Sequence, residues 1–146
     1  MMRIWDYRLI PYLPDFQFRG QLRELVAIMR DWRDKGKTNH LLINKVMDFT
    51  PRNLTAYFLR YEEEYRKRYA KGIKPSVVEE FILFCGETKL YCEPFKGWHN
   101  KEYLRVCMAN LYEKHIFGVG KSRITDEEWQ VLLDGYKNIT GEEYKI

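Results

Sequence analysis

Apolar residues recur at steps of three and four through most of this chain. Phe18, Leu22, Leu25, Val26, Met29 and Trp32 share one face of a helix of about five turns. Asp15 is its expected N-cap after the prolines of "PYLPD", and "DKGKTNH" ends it. A short apolar segment from Leu41 to Met47 predicts a brief helix, and "DFTPRN" a turn. From Asn53, the positions Leu54, Tyr57, Phe58, Tyr61, Tyr65 and Tyr69 repeat the helical spacing. This second long helix is aromatic on one face and carries Arg60, Glu63, Arg66, Lys67 and Lys71 on the other; Gly72 and Pro75 stop it. Ser76 with Glu79 predicts a capping box opening a helix through Cys85, and Thr125 with Glu128 another opening a helix through about Tyr136. Tyr103, Leu104, Cys107, Met108 and Leu111 predict a helix from roughly Asn100 to Lys114. No period-two strand or hairpin turn is legible. The pattern predicts an all-α fold, a compact bundle of about five helices with short connections. Its irregular part is the loop "GETKLYCEPFKGWHN", rich in glycine, proline and aromatics.

At 146 residues the chain is long enough for one domain with a core and too short for two of ordinary size, so residues 1–146 are expected to form a single domain. An aromatic share of 16% marks it as globular rather than disordered. No apolar run approaches the ~18 residues of a membrane span. The start has no basic, apolar and small-residue sequence of a secretory leader, so a cytoplasmic protein without a membrane partner is expected. Cys85, Cys92 and Cys107 are an odd number without a CxxC spacing, which suits reduced thiols. A zinc site drawn from Cys85, Cys92, His99 and His115 lacks paired close ligands and is not expected.

Charge sharpens the picture. Residues 1 to 76 carry 16 Lys and Arg against 9 Asp and Glu, net +7, whereas residues 77 to 146 carry 9 against 12, net −3. Such asymmetry suggests a polyanion partner; a solvated basic surface is the plain alternative. "GVGKS" at residues 118 to 122 lacks the earlier glycine of a phosphate loop, since His115 stands there, and no strand precedes it. Nucleotide hydrolysis is excluded, and Lys121 and Arg123 remain as candidate phosphate contacts. The three histidines give no legible catalytic set. More informative is "RGQLRELVAI", residues 19 to 28, where Glu24 adjoins Leu22 and Leu25 at the edge of the buried face. A carboxylate there needs a cation or a function: either a boundary salt bridge, with Arg23 or a neighbouring turn, or a catalytic role.

The stretch "MRIWDYRLIPYLPDFQFRGQLREL" resembles the start of the pyrimidine-dimer DNA glycosylase family, the phage-type endonuclease V and its bacterial relatives. "YFLRYEEEYRKR" is similar to that family's middle helix and "EYLRVCMANLYEKHI" to its last. The resemblance covers most of residues 2 to 117 and is strongest over 2 to 25. It implies an all-α protein that acts on damaged double-stranded DNA, without metal or organic cofactor, by glycosyl bond cleavage followed by strand nicking. Carried over residue by residue, the nucleophilic α-amine falls on Met2, the neighbouring arginine on Arg3, the helix arginine on Arg23 and the catalytic glutamate on Glu24. Two departures concern lesion recognition. The phage member has a histidine where Gln17 stands, and a further arginine beyond the Arg-Glu pair where this chain has Val26 and Ala27. A binding or repair-accessory domain of the same fold without catalysis is the alternative expectation.

These residue types suit the chemistry. An α-amine titrates near ~7.7–8.0, so an appreciable fraction is neutral at neutral pH, and arginines beside it favour that form. Glu24 can stabilise a cationic sugar or iminium and shuttle protons. Arg3 and Arg23 match phosphate oxygens with a planar fork. Arg66, Lys67, Lys121 and Arg123, with Lys35 and Lys37, are expected to supply sequence-independent phosphate contacts; Trp98 or Tyr91 either fill the gap left by an unstacked nucleotide or pack in the core, and core packing is the role their residue types favour. A monomer is expected. Because neither Met2 nor Arg3 is small, an initiating methionine should be retained, and the resemblance predicts a functional chain starting at Met2.

Overall fold

The computed structural model describes residues 4–37, 44–89 and 92–146. Among them there is no strand, and the elements are five α-helices and three short 3-10 helices. The α-helices are α1 (Asp15–Lys35), α2 (Arg52–Tyr69), α3 (Pro75–Cys85), α4 (Lys101–Phe117) and α5 (Asp126–Thr140), and the 3-10 helices span Tyr7–Tyr12, Asn44–Asp48 and Gly120–Ser122. The described residues group into two compact units: Gln21–Lys96 together with Ile4, and Trp5–Gly20 with Gly97–Ile146. Helix α1 begins in the second and ends in the first.

Helix α1 starts one residue earlier than its apolar face implies. Asp15 lies inside its first turn rather than at the N-cap, where its carboxylate pairs with Arg19 at 3.0 Å, and the Pro14 carbonyl accepts the Phe18 amide. An acidic residue in the first turn also complements the helix dipole. The predicted helix from Leu41 is a 3-10 turn at Asn44–Asp48; Leu41 itself lies outside the described residues.

In the first unit, Leu54, Tyr57, Phe58 and Tyr61 on α2 are fully buried, as the helical spacing requires. Phe58 stacks on Phe81 of α3 with ring centroids 3.9 Å apart. Tyr65 and Tyr69 sit half-buried and meet edge to face at 4.7 Å. Helix α2 ends at Ala70, which takes the left-handed conformation (φ 55°), before either Gly72 or Pro75 is reached. The following turn is held by the buried carboxylate of Glu62, which accepts the Ile73 amide at 2.8 Å and pairs with Arg66. The expected Ser76–Glu79 box is not formed. Pro75 occupies the first turn of α3, Lys74 precedes it, and no side chain caps it. Proline is preorganised for that position and has no amide to satisfy, so the turn does without a cap. Arg30 and Arg33 of α1 both clamp Glu80 of α3, at 2.8 and 3.2 Å, and the Arg30 hydrogen bond chiefly holds that carboxyl down to about 2.

In the second unit, Leu104, Cys107, Met108 and Leu111 of α4 and Trp129, Leu132 and Tyr136 of α5 supply the core. The Tyr12 ring packs against α5 at Gly135, where any Cβ would overlap the ring. The Thr125–Glu128 capping box is present in both directions, at 3.2 and 2.9 Å, and α5 continues to Thr140, past the expected end at Tyr136. Asn100 caps α4 by accepting the Tyr103 amide. His99 is sandwiched between Tyr7 and Tyr103, at 6.0 and 5.0 Å, and its Nδ1 accepts the Tyr7 amide at 3.1 Å. Burial, with the Arg8 charge, pushes His99 down to about 3, so it is neutral here.

Candidate active site

The geometry around Glu24 follows from helical spacing. Gln21 and Glu24 stand three apart on α1, so they share a face with the buried Leu25 and Ile28. Gln21 is 2% exposed, and a buried amide must be hydrogen-bonded. It is bonded at both ends: its Nε2 donates to Glu24 Oε2 at 3.2 Å, and its Oε1 accepts the hydroxyl of Tyr57 at 3.1 Å. Tyr57 is fully buried on α2, so this chain of bonds runs from the core to a half-buried carboxylate.

Tyr61, one turn further along α2, is also fully buried. Burial raises its phenol well above the usual range; Arg68 opposes that shift and the Glu24 charge adds to it. Glu24 therefore meets a buried amide in a partly dry setting, where a fixed negative charge acts on a nearby cation more strongly than it would in water. Gln21 and Tyr57 are neighbours of this candidate site that the sequence pattern did not single out. Only the three-residue step between Gln21 and Glu24 hinted at them.

The remaining candidates fall in different settings. Arg23 is exposed, and adjacent helix positions point about 100° apart, so it faces solvent while Glu24 faces the edge of the core. Met2, Arg3 and Tyr91 lie outside the described residues. Arg66 and Lys67 are exposed on α2, and each is paired with a glutamate one turn earlier, Glu62 and Glu63. Those pairs reduce the net positive field that α2 offers to a phosphate. Lys121 and Arg123 belong to the second unit, on the loop between α4 and α5; Lys121 is exposed, and Arg123 is 4.0 Å from Asp126. Lys35 and Lys37 are exposed at the end of α1. Gln17 is 7% exposed and donates to the Ser122 carbonyl at 2.9 Å, so it serves that loop's structure.

Trp98 does not suit the gap-filling role. It is 8% exposed and packs at the start of α4 against His99 and Tyr103, at 4.9 and 5.2 Å. Among the described residues, no group of three His, Cys, Asp or Glu side chains is placed to hold a metal ion. Nor is any helix among them long and apolar enough to cross a membrane.

Residues 2–74 match the pyrimidine dimer DNA glycosylase family. That segment contains Met2, Arg3, Arg23, Glu24, Arg66 and Lys67 and stops short of Lys121 and Arg123. No curated protein and no solved structure matches the chain. The match spans half of the sequence and takes in the helices that build the Gln21–Glu24–Tyr57 site, and with it the chain belongs to the pyrimidine dimer DNA glycosylase family, enzymes of DNA repair that act on damaged DNA.

Proposed function

We propose that this protein is a DNA glycosylase with an associated AP lyase activity on pyrimidine dimers or related damaged bases, working through a Schiff base on the α-amine of a chain that begins at Met2. The neutral amine attacks the sugar C1′ as the glycosidic bond breaks, and the base leaves with the bonding electron pair and takes up a proton. Ring opening gives an iminium. Loss of a proton from C2′ then expels the 3′ phosphate, and water releases the amine. Glu24 stabilises the cationic sugar and iminium and moves the protons that ring opening and elimination require. Arg3 and Arg23 hold the phosphates beside the lesion.

The observation that carries this reading is the half-buried Glu24 carboxylate, oriented by a buried amide that is itself bonded to a core tyrosine. A carboxylate at the rim of a core acts on a nearby cation more strongly than one in water, which supports an electrostatic role for Glu24 in the reaction. The test is borohydride trapping on abasic and ultraviolet-irradiated duplexes, with chains beginning at Met1, at Met2 and at an acetylated Met2. A covalent adduct only from the free Met2 start is the expected result. Moving the amine by one residue, up to ~3.6 Å, disrupts a near-attack geometry. Equal trapping by all three would make a lysine the nucleophile. No trapping by any, with DNA binding retained, would identify a binding domain without catalysis.

A further inference from the structure

With Trp98 folded inward, the apolar side chains that the second unit offers to solvent lie elsewhere. Phe117 and Val119 are each 79% exposed. They flank Gly118, where α4 ends, and with the half-exposed Ile116 they gather three apolar side chains within four residues of one turn. Their base is closely hydrogen-bonded. The amides of Gly118 and Ile124 both donate to the Lys114 carbonyl, at 3.2 and 3.3 Å, and His115 Nδ1 lies 2.8 Å from the Ile124 carbonyl. Ser122 Oγ donates to the Val119 carbonyl at 2.9 Å, while Gln17 holds the Ser122 carbonyl. Ile124 is fully buried beneath. A Cβ at Gly118 would collide with the Lys114 carbonyl oxygen and the Arg123 backbone, so the loop closes this tightly only with glycine there. Lys121, exposed, and Arg123, whose side chain is 44% exposed, stand on the same loop.

We propose that the Phe117–Val119 tip is a wedge for duplex DNA: its apolar side chains enter between base steps at the lesion while Lys121 and Arg123 hold the flanking phosphates. Apolar wedges between base steps kink a duplex at the cost of unstacking, and that cost is lowest where a base is damaged or missing. A preordered tip loses little conformational freedom on insertion. Lys121, exposed on that loop, and Arg123, which lies 4.0 Å from Asp126, favour a phosphate-bearing occupant over a second apolar surface. The proposal rests on the family's damaged-DNA substrate and not on the Schiff-base step.

Both side chains are exposed, so a Phe117→Ser/Val119→Ser double variant should keep its helical circular dichroism. Its affinity is measured by fluorescence anisotropy on an uncleavable tetrahydrofuran abasic-analogue duplex and on the undamaged duplex, across a range of salt. The expected loss is about tenfold on the abasic-analogue duplex, the order of one lost stacking contact. Affinity for undamaged DNA should stay within about twofold, with an unchanged salt slope. Lys121→Ala should instead flatten the slope by about one on both duplexes. An equal loss on both duplexes, or none on either, overturns the wedge. So does a change in self-association by sedimentation with lesion affinity intact, which would make the tip a contact between copies. Borohydride trapping by the same variant reports separately on the amine chemistry: a failed wedge with trapping retained leaves that reading standing, and the reverse result leaves the wedge.

Discussion

Under the proposed mechanism Gln21 is a positioning residue, a buried side chain that acts on the reaction only through Glu24. Replacing it with leucine keeps much of its volume but removes the donor to Glu24 and the acceptor for Tyr57, leaving a buried hydroxyl without that bond. Gln21→Leu should lose about 1–3 kcal/mol of stability in urea unfolding. Its turnover should fall about tenfold with DNA affinity within about twofold, because the carboxylate is misplaced rather than absent. Glu24→Gln should go further and abolish base release while leaving binding within a few-fold. Full turnover by Glu24→Gln would remove that residue from the site. Acid should destabilise the fold through His99. His99 is held neutral at about 3 in the folded protein, below its ordinary value of 6.5, so the unfolded chain binds the proton more readily. Its linkage leaves stability untouched above about pH 6.5 and subtracts from it progressively as pH falls toward 3. Between pH 7 and pH 5 the loss should be about 2 kcal/mol, and a His99→Asn variant, which keeps an acceptor for the Tyr7 amide, should lack it. Urea titrations at the two pH values test this; an equal loss in the variant would assign the acid sensitivity elsewhere.

At the scale of elements, two sequence signals of the same form had different outcomes. Thr125 and Glu128 close a reciprocal box at the start of α5, whereas Ser76 and Glu79 do not cap α3 because Pro75 already occupies its first turn. Thr125→Ala should therefore cost about 1 kcal/mol and Ser76→Ala less than about 0.5 kcal/mol in thermal or urea unfolding. Equal costs would contradict these helix starts. The apolar faces of α1, α2 and α4 were readable because burial imposes a 3.6-residue period on the sequence itself. The ends were less so. Ala70 stops α2 in a conformation that glycine favours, with Gly72 available two residues later. The Glu62 carboxylate explains the choice by holding the Ile73 amide, a partner eleven residues away that no local pattern contains.

For the whole molecule, the two units are both discontinuous in sequence, and α1 runs from one into the other. We propose that the chain folds as a single domain, with α1 as the segment the two units share. Unfolding should thus be one cooperative transition, with tryptophan fluorescence and far-ultraviolet circular dichroism coinciding in midpoint. Two separated midpoints would instead show units that fold independently. Charge is also a property of the whole chain: the first 76 residues carry a net +7, yet Arg30, Arg33, Arg66 and Lys67 all meet carboxylates. Alanine at Arg66 or Lys67 should accordingly change the salt slope of DNA binding less than alanine at Lys121.

The sequence by itself determined the helical class, the faces of the long helices and the segment over residues 2–74 that identifies the family, because periodic burial and local motifs are written in consecutive residues. It also marked Glu24 as a carboxylate at the edge of a core. Only the tertiary structure decided what holds that carboxylate, since Tyr57 meets Gln21 across 36 positions of sequence. It alone buried Trp98 and left Phe117 and Val119 in water, although all three are comparably apolar in sequence. Which side of a loop or helix end is covered depends on the elements packed against it, and that information is held by residues far away in the chain.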